Sequence, residues 1–404
     1  MWTCDVVIVG AGPAGSTAAE RLARHGLDVL VVEEHAVIGE PVDCTGVLGL
    51  EAFEAFGLPR SLVLGAVEAV TIHSPGGFAA THRGARPLAY VVDRAELDRT
   101  LARRAEAAGA RILLRTRAVD VTADGAGVRV DCQGPEGEPQ RLEARVAVLA
   151  GGPRFGVQER LGLGAPPLLW RSAHAELSGD GLCGAQVFLG RTVAPGGFGW
   201  AVPLQRGGKP CVRVGVNAVG DAAHSLRRLC AQRFPHLRAP EEGLGWRSWV
   251  VPVLPLRRTV GQRVLAVGDA AGQVKPTSGG GIYYGMLSAR EAADTAAEAL
   301  RRGTLGRGGL EVYERRWRDR LGLDLTIGTL FRRLFDRMTD ADIDELFRAL
   351  GSNDLLARVA DHVSFDWHRH LIGFLLTHPG LARILLRRCL DWRALPAGQA
   401  VPPA

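Results

Sequence analysis

Apolar and polar positions follow a regular order at the start of the chain. Residues 5–9 form a short apolar run rich in β-branched side chains, which predicts a buried parallel strand. Between residues 14 and 24 the apolar positions recur at helical spacing, and Gly26 is expected to end that helix. A second buried strand is predicted over residues 28–32. This order indicates a βαβ unit at the start of the chain.

The spacing of apolar and polar positions changes twice further along the chain. Residues 161–261 carry short strand-like runs, such as 210–216, that are separated by turns, which indicates a β-rich region. A buried strand is then predicted over residues 264–267, and a glycine-rich loop and a long alanine-rich helix follow it. From about residue 303 the periodicity is helical. We therefore expect an α/β fold, α+β overall, with a C-terminal helical region.

Three glycines stand between the first strand and its helix, in the pattern Gly10-x-Gly12-x-x-Gly15. Gly10 is expected to allow a tight turn, Gly12 to let a pyrophosphate approach the backbone, and Gly15 to let the helix pack close to the strand. The helix N-terminus then faces the phosphates with its unpaired N–H groups and its positive dipole end. Glu33, at the end of the second strand, is placed to accept hydrogen bonds from a ribose. The alternative is a glycine-rich turn without a ligand, but the order of the elements predicts a bound dinucleotide.

A second loop-to-helix junction follows the strand at residues 264–267. Gly268-Asp269 comes directly after the strand, and the glycines 279–281 lead into the helix. An aspartate at a strand end suits sugar-like hydroxyls, and consecutive glycines expose N–H groups to a polar ring edge. The N-terminus of the helix favours negative charge, as on the N1/C2 oxygen side of a reduced flavin. A plain glycine-rich linker is the alternative, which the flanking strand and helix disfavour.

This arrangement resembles the FAD-dependent oxidoreductases of the glutathione-reductase and hydroxybenzoate-hydroxylase type. Two further stretches carry the resemblance: Val-Asp-Arg-Ala-Glu-Leu-Asp at 92–98, with an arginine at a helix start, and the returning strand at 147–152. An Asp-Gly pair follows that strand in the hydroxylases, whereas this chain has Gly151-Gly152. The resemblance implies a Rossmann-like FAD-binding domain. It also implies FAD contacts from Gly10, Gly12, Pro13, Ala14, Gly15, Glu33, Glu34, Cys44, Arg94, Val119, Gly268, Asp269, Gly279, Gly280, Gly281 and Ile282.

Within the flavoproteins the chain most resembles the geranylgeranyl reductase family, notably the archaeal type that acts on digeranylgeranylglycerophospholipids. The motif-bearing stretches are the P-x-x-C-x-G-like loop at 41–46, the elements at 198–203 and 268–282, and Tyr-Glu-Arg-Arg-Trp-Arg at 313–318. The chain departs from the family in Cys44-Thr45-Gly46, which replaces a Cys-Gly pair, and in Gly215-Val216-Asn217, which replaces a later G-x-G.

The resemblance implies an enzyme that saturates carbon–carbon double bonds of a geranylgeranyl or polyprenyl chain by hydride transfer from reduced flavin. Cys44 and Gly46 are then the expected catalytic residues, although a free cysteine is more often a small buried core residue. Phe198, Trp200 and Pro203 are expected to bind substrate, with plain core packing as the open alternative.

The same reading divides the chain into domains. We expect a discontinuous FAD-binding domain from residues 1–75, 90–160 and 262–300, and a β-rich substrate-binding domain from residues 76–89 and 161–261. Residues 301–395 form the helical region, and residues 396–404 a disordered tail.

The composition narrows the class of protein. Of the 404 residues, 47% are hydrophobic and 23% charged, which suits a folded protein with a large core. The seven cysteines are scattered, odd in number and without a C-x-x-C pair, which argues against disulfides and zinc and favours a reducing cytosol. We expect no metal site. With no signal peptide and no apolar run of about eighteen residues, we expect a cytoplasmic protein.

Partners follow from charge and from the resemblance. The net charge of +6 suits anionic lipids, diphosphates or nucleotides, and we expect a polyprenyl lipid or prenyl diphosphate substrate and no nucleic acid. The amphipathic, basic segments 330–338 and 370–392 predict a cap over the substrate tunnel, peripheral contact with the inner face of the cell membrane, or both. NAD(P)H or a ferredoxin-like protein is the expected electron donor, and a monomer is expected.

The sequence leaves three other functions open. An aromatic monooxygenase shares the FAD framework but usually carries the missing Asp-Gly pair. A halogenase resembles the chain at 198–203, but its catalytic lysine would lie earlier than Lys209 or Lys275, the two lysines of the sequence. A non-catalytic flavin-binding, membrane-associated protein would bind FAD and reduce no prenyl substrate.

Overall fold

Three β-sheets organise the residues that the structure, a computed structural model, describes: 2–238, 247–351, 355–360 and 362–390. The tail predicted for residues 396–404 lies outside these ranges. In chain order the strands are β1 (Trp2–Val9), β2 (Val29–Val32), β3 (Val47–Gly49), β4 (Val63–Val67), β5 (Ala69–His73), β6 (Ala79–Arg83), β7 (Ala89–Val92), β8 (Arg111–Leu113), β9 (Arg117–Ala123), β10 (Val128–Gln133), β11 (Pro139–Leu149), β12 (Leu169–Ser178), β13 (Ala185–Phe188), β14 (Phe198–Arg206), β15 (Lys209–Ala218), β16 (Arg247–Pro252), β17 (Val260–Gly261) and β18 (Val264–Ala266).

Helices connect the strands and form the end of the described chain. They are α1 (Pro13–Arg24), α2 (Leu50–Phe56), α3 (Arg94–Ala107), α4 (Gly156–Arg160), α5 (Ala222–Arg233), α6 (Ile282–Arg302), α7 (Arg307–Phe335), α8 (Asp340–Leu350), α9 (Leu355–Ala360), α10 (Arg369–Thr377) and α11 (Pro379–Leu390). Short 3₁₀ helices occupy Arg60–Leu62 and Gly268–Ala271. Among the described residues, no helix combines the length and the apolar character that crossing a bilayer requires.

The first sheet has a parallel centre in the order β18-β11-β1-β2-β8, and β17, β10 and β9 extend it by antiparallel pairing. Its central strands are apolar on both faces because each face is covered. Val6 and Ile8 of β1 pack in a core with α1, α3, α6 and α7, while Val7 packs in a second core on the opposite face. This arrangement confirms the α/β fold and the βαβ unit read from the pattern of apolar positions.

The second sheet is mainly antiparallel, in the order β16-β12-β15-β14-β13-β5-β6. Val212, Val214 and Val216 of β15 pack against α5. The alternate residues of β15 point to the other face, and among them Arg213 reaches the loop before β3. Residues 70–73 of β5, which fall within the residues 1–75 expected in the FAD-binding domain, pair in parallel with β13 of this second sheet. The domain limits stay predictions.

The helical region closes the fold beside the first sheet. Helix α7 packs along α6, and helices α8, α10 and α11 share a core that includes Ile343, Phe347, Leu375 and Leu381. The remaining sheet, β3-β7-β4, is small and antiparallel and carries the segment after Cys44. The three sheets thus bring the two glycine-rich loops and the cysteine segment to one side of the first sheet.

Candidate active site

The glycine-rich turn after β1 is tightly constrained. Gly10 has a φ of +98°, and a Cβ built on it would lie 2.5 Å from the carbonyl oxygen of Ala150. A Cβ on Gly15 would lie 1.9 Å from the carbonyl oxygen of Gly10, so α1 approaches the turn only because Gly15 has no side chain. The carboxylate of Glu33 accepts a hydrogen bond from the backbone N–H of Ala11 at 2.8 Å. The end of β2 therefore holds the turn in place.

The third glycine of the motif has a different environment. Apart from its own chain neighbours, no heavy atom of the described residues lies within 4 Å of the Cβ position of Gly12, which is the N-cap of α1. Gly12, Pro13 and Ala14 line a cavity of about 770 Å³, within the range of about 300–1,000 Å³ that is typical of ligand sites. The free N–H groups and the positive dipole end of α1 are therefore available to a pyrophosphate.

The second glycine-rich loop, residues 268–281, lines the same cavity. Each glycine of the triplet Gly279–Gly281 has its own neighbour: a Cβ on Gly281 would lie 2.6 Å from the Asp269 carboxylate, and a Cβ on Gly280 2.8 Å from Cε of Lys275. Gly279 and Gly281 line the cavity, and Gly280 does not. The backbone of the triplet is thus presented to the cavity without side chains in the way.

Two charged side chains line this cavity: Asp269, in the second glycine-rich loop, and Arg94, at the start of α3. Burial raises the pKa of Asp269 to about 6, against the opposing influence of Arg94. Nη2 of Arg94 lies 2.8 Å from Oδ1 of Asp98, one helical turn along α3. Nε of Arg94 is buried and has no hydrogen-bond partner among the described residues. An unpaired buried donor at the wall of a cavity indicates a polar ligand.

The cysteine loop, residues 40–46, forms another wall. Asp43 and Cys44 line the cavity, and the thiol sulfur of Cys44 accepts a hydrogen bond from the N–H of Gly46 at 3.4 Å. Gly46 itself does not line the cavity. Its φ is +68°, and a Cβ there would lie 2.8 Å from the carbonyl oxygen of Val92 and 2.9 Å from Cγ of Arg94. The close approach that Gly46 permits is therefore to β7 and α3, not to the cavity as the sequence suggested.

A buried ion pair on the second sheet holds this loop. Nη2 of Arg213 lies 2.8 Å from Oε2 of Glu176, and each side chain is 3% exposed. Arg213 also donates a hydrogen bond to the carbonyl oxygen of Thr45. Burial alone would raise the pKa of Glu176, but hydrogen bonds and charge from Arg206 and Arg213 lower it below its ordinary value. The loop that carries Cys44 is thus tied to a charged pair in the sheet behind it.

Strand β16 supplies an apolar wall that the sequence motifs did not indicate. Trp249, Val250 and Val251 line the cavity. The ring of His174, on the neighbouring strand, lies 4.8 Å from that of Trp249, centroid to centroid. Desolvation, assisted by the nearby Arg213, lowers the pKa of His174 to about 3, so its ring is neutral at physiological pH. The short apolar run that follows Arg247 and Ser248 in this strand gives no signal that separates such a wall from ordinary core.

The structure brings together most of the residues predicted to contact the cofactor. Those that line the cavity are Gly10, Gly12, Pro13, Ala14, Glu33, Glu34, Cys44, Arg94, Val119, Gly268, Asp269, Gly279, Gly281 and Ile282. Gly15 and Gly280 do not line it, because the first packs on the turn and the second on Lys275.

The predicted substrate residues lie outside the cavity lining. Trp200 is buried, with its ring over Gly215, where a Cβ would lie 2.1 Å from Cζ2 of the indole. The ring centroid of Phe198 lies 5.9 Å from that of Trp170, and the carbonyl oxygen of Pro203 lies 2.8 Å from the Cβ position of Gly65. These three residues do not line the cavity. Their surroundings are those of core packing, which was the alternative to substrate binding.

The residues present fit FAD. The open Gly12 cradle suits the pyrophosphate, and the Glu33 carboxylate lines the cavity beside it. The glycine triplet, the Asp269 carboxylate and the orphaned Arg94 Nε offer the donors and acceptors that a ribityl chain and a polar ring edge require.

Comparisons with known proteins agree with this geometry. The profile of a family described as FAD binding domain matches residues 3–167. The digeranylgeranylglycerophospholipid reductase of Methanothrix thermoacetophila is 32% identical over 368 residues, which cover 87% of this chain and 92% of the relative.

Solved structures show the same fold. A geranylgeranyl bacteriochlorophyll reductase-like protein from Thermoplasma acidophilum has a TM-score of 0.84 at 21% identity, covering 96% of this chain and all of that chain (100%). The p-nitrophenol 4-monooxygenase of Pseudomonas putida has a TM-score of 0.70 at 19% identity, covering 92% and 99%. The first resemblance spans the helical region as well as the sheets. Together with the sequence match, these findings establish that FAD is the cofactor and that the chain belongs to the family of the digeranylgeranylglycerophospholipid reductases.

Proposed function

We propose that this protein uses FAD to saturate carbon–carbon double bonds in the geranylgeranyl chains of a glycerophospholipid or a related polyprenyl substrate. The observation that carries the proposal is the single cavity that joins the FAD-binding glycines, the thiol of Cys44 and the apolar wall formed by Trp249 and Val251. The curated relative of 32% identity bears the name of this activity.

Each part of the site has an assigned task in binding FAD. The turn at Gly10–Ala14 and the N-terminus of α1 would hold the pyrophosphate, and Glu33 the adenosine ribose. Asp269 would bind the ribityl chain, and the glycine triplet would face the ring edge together with Arg94. When bound and reduced, FAD supplies a hydride. The protein must align the double bond with the flavin, exclude water and supply a proton.

An isolated double bond is not polarised, so its reduction depends on alignment in a dry cavity. Trp249, Val250 and Val251 supply the apolar surface, and Ile38 faces the same space from the cysteine loop side. These side chains orient the prenyl chain and keep water from the reacting carbons. Phe198 supports this wall from outside the cavity, since it packs in one apolar cluster with Trp249 and Val251.

We assign the proton-transfer role to Cys44. Its sulfur lies at the cavity wall, and the N–H of Gly46 fixes its position through a hydrogen bond of 3.4 Å. The loop is held from behind by Arg213, so the thiol keeps a constant place relative to the second glycine-rich loop. In this role the thiol holds a proton at Sγ and gives it to the alkene carbon that does not receive the hydride.

The finer partners are proposals as well. We propose a cytoplasmic protein that rests on the inner face of the membrane, where its lipid substrate lies. Leu323 and Leu330 of α7 and Leu386 of α11 are 59%, 50% and 41% exposed on helices that also carry arginines. NAD(P)H or a ferredoxin-like protein is the proposed electron donor.

The proposal is tested by photoreducing the FAD of the purified protein without oxygen and adding a geranylgeranyl glycerophospholipid. Reoxidation of the flavin, followed by absorbance, is expected with the unsaturated lipid. The matched control is the fully saturated lipid, which should leave the flavin reduced. Flavin that stays reduced with both lipids would contradict the proposal. Reoxidation that needs oxygen and yields a hydroxylated or halogenated product would favour a monooxygenase or a halogenase.

A further inference from the structure

A buried ion pair joins the second glycine-rich loop to the helical region. Nζ of Lys275 lies 3.0 Å from Oδ1 of Asp366, and the two side chains are 6% and 4% exposed. The same ammonium donates a hydrogen bond of 3.0 Å to the carbonyl oxygen of Phe365 and lies 4.4 Å from the centroid of the Phe365 ring. A charged pair this deep is costly to build, because both groups lose their hydration and each must be compensated by the other.

The lysine lies directly behind the glycine triplet. The Cβ position of Gly280 is 2.8 Å from Cε and 3.4 Å from Nζ of Lys275, while Gly279 and Gly281 line the cavity. The backbone N–H of Lys275 also donates to the carbonyl oxygen of Gly280 at 3.1 Å. A single layer of backbone therefore separates this ammonium from the surface that the triplet presents to the cofactor.

The aspartate also contacts the short strand that follows the cysteine loop. Oδ2 of Asp366 lies 1.9 Å from the Cβ position of Gly49, so β3 approaches it only through a glycine. Gly49 ends the short strand that follows the cysteine loop. The hydroxyl of Tyr284, in the first turn of α6, donates to the carbonyl oxygen of Asp366 at 2.9 Å. Asp366 thus contacts β3, which follows the cysteine loop, and α6, which follows the triplet.

A hydrogen bond between uncharged groups also joins the second glycine-rich loop to the helical region. The hydroxyl of Thr277 and Nδ1 of His368 are hydrogen-bonded. Burial, and next the charge of Lys275, lower the pKa of His368 to about 3, so the ring adds no charge at physiological pH. Of the charged side chains, Lys275 lies beside Gly280 and Asp269 beside Gly281, and Asp366 is the ion-pair partner of Lys275.

We propose that Lys275 and Asp366 are positioning residues whose opposite charges, balanced behind the glycine triplet, set the reduction potential of the bound FAD. A reduced flavin gathers negative charge on its N1/C2 oxygen side, which a nearby cation stabilises and a nearby anion destabilises. The effect is strong because the pair is buried, where charges are poorly screened. The inference rests on FAD binding and not on the identity of the lipid, so a failed lipid assay leaves it intact.

The test measures the reduction potential of the FAD in two single variants. Lys275→Met leaves Asp366 unpaired and is expected to shift the potential to a more negative value. Asp366→Asn leaves Lys275 unpaired and is expected to shift it to a more positive value. Lys275→Arg keeps the charge and should restore the wild-type potential. A purely structural attachment would move both single variants in the same direction or not at all, and either result overturns the proposal.

Two further variants serve as controls for this experiment. Arg307→Met removes an exposed ion pair with Glu311 on α7 and should leave the potential unchanged. If either single variant fails to retain FAD, the double variant Lys275→Met/Asp366→Asn decides the question, since it leaves no uncompensated charge. The double variant is expected to bind FAD with a potential close to the wild-type value, because it removes both opposing charges at once. A double variant that binds no FAD, or whose potential differs clearly from the wild-type value, overturns the proposal.

Discussion

Arg213 donates a hydrogen bond to the carbonyl oxygen of Thr45 and thereby ties the cysteine loop to the second sheet. The same guanidinium is paired with Glu176 at 2.8 Å. The residue next to Cys44 is therefore anchored by a residue 168 positions later in the chain. The position of the thiol depends on a buried charge network and not on the loop alone.

Removing this anchor should destabilise the protein and free the loop. Arg213→Met leaves Glu176 buried with only Arg206 as partner, and we expect a loss of about 3 kcal/mol in the free energy of unfolding. Urea unfolding and the rate of Cys44 alkylation measure the two effects. Arg307→Met, in an exposed pair, should change the unfolding free energy by less than about 0.5 kcal/mol. Equal effects in the two variants would show that the network is not an anchor.

The network also predicts a dependence of stability on pH. The pKa of Glu176 lies lower in the folded protein than its ordinary value of 4.5, so its contribution is present above pH 4.5 and is lost as the pH falls below that value. Unfolding free energies measured from neutral to acid pH should show this loss. Glu176→Gln removes this part of the pH dependence, at the cost of a lower stability at neutral pH. A variant with an unchanged acid slope would assign the loss to other carboxylates.

The two glycines at the start of α1 should respond differently to the same change. Gly15→Ala places a Cβ 1.9 Å from the carbonyl oxygen of Gly10 and should cost about 3 kcal/mol of stability even without FAD. Gly12→Ala adds a methyl group where, apart from the chain neighbours, no heavy atom of the described residues lies within 4 Å, so the apoprotein should keep most of its stability. The affinity for FAD should nevertheless fall about tenfold or more, because the methyl group enters the pyrophosphate cradle. Calorimetric titration with FAD and thermal unfolding separate the two effects, and a Gly12→Ala variant with wild-type affinity would place the pyrophosphate elsewhere.

Cys44 should matter for turnover and not for FAD binding. Cys44→Ala removes the proton donor and is expected to lower kcat about a hundredfold while the FAD content stays unchanged. Cys183→Ser changes an exposed thiol and is the matched control. Single-turnover reoxidation of the reduced protein by the lipid measures both. An unchanged rate in Cys44→Ala would make Cys44 a structural residue.

The sequence was most informative where one short segment determines a geometry. The spacing of Gly10, Gly12 and Gly15, with Glu33 after the next strand, predicts the turn, the helix and the acid that the structure contains. The second loop, with Asp269 and the triplet, was predicted equally well from the sequence. In both cases a strand, a glycine-rich loop and a helix are adjacent in sequence, so local physical chemistry alone relates the residues to the cavity.

The sequence was less informative where the site depends on distant pairing. Lys275 and Asp366 are separated by 91 positions, and Arg213 and Glu176 by 37, so no local pattern marks either pair. Trp249 lines the cavity because β16 pairs at the edge of the second sheet, whereas the motif-bearing Phe198 and Trp200 lie outside the cavity lining. Gly46 was expected at the cavity, but the left-handed turn directs it towards Val92 and Arg94.

The most direct test of the central claim is the mass of the lipid after reaction with the reduced protein. A geranylgeranyl glycerophospholipid, incubated without oxygen with photoreduced protein, should gain two hydrogen atoms for each flavin reoxidised, as seen by mass spectrometry. A lipid of unchanged mass, or one that has gained oxygen or halogen instead of hydrogen, would contradict the account.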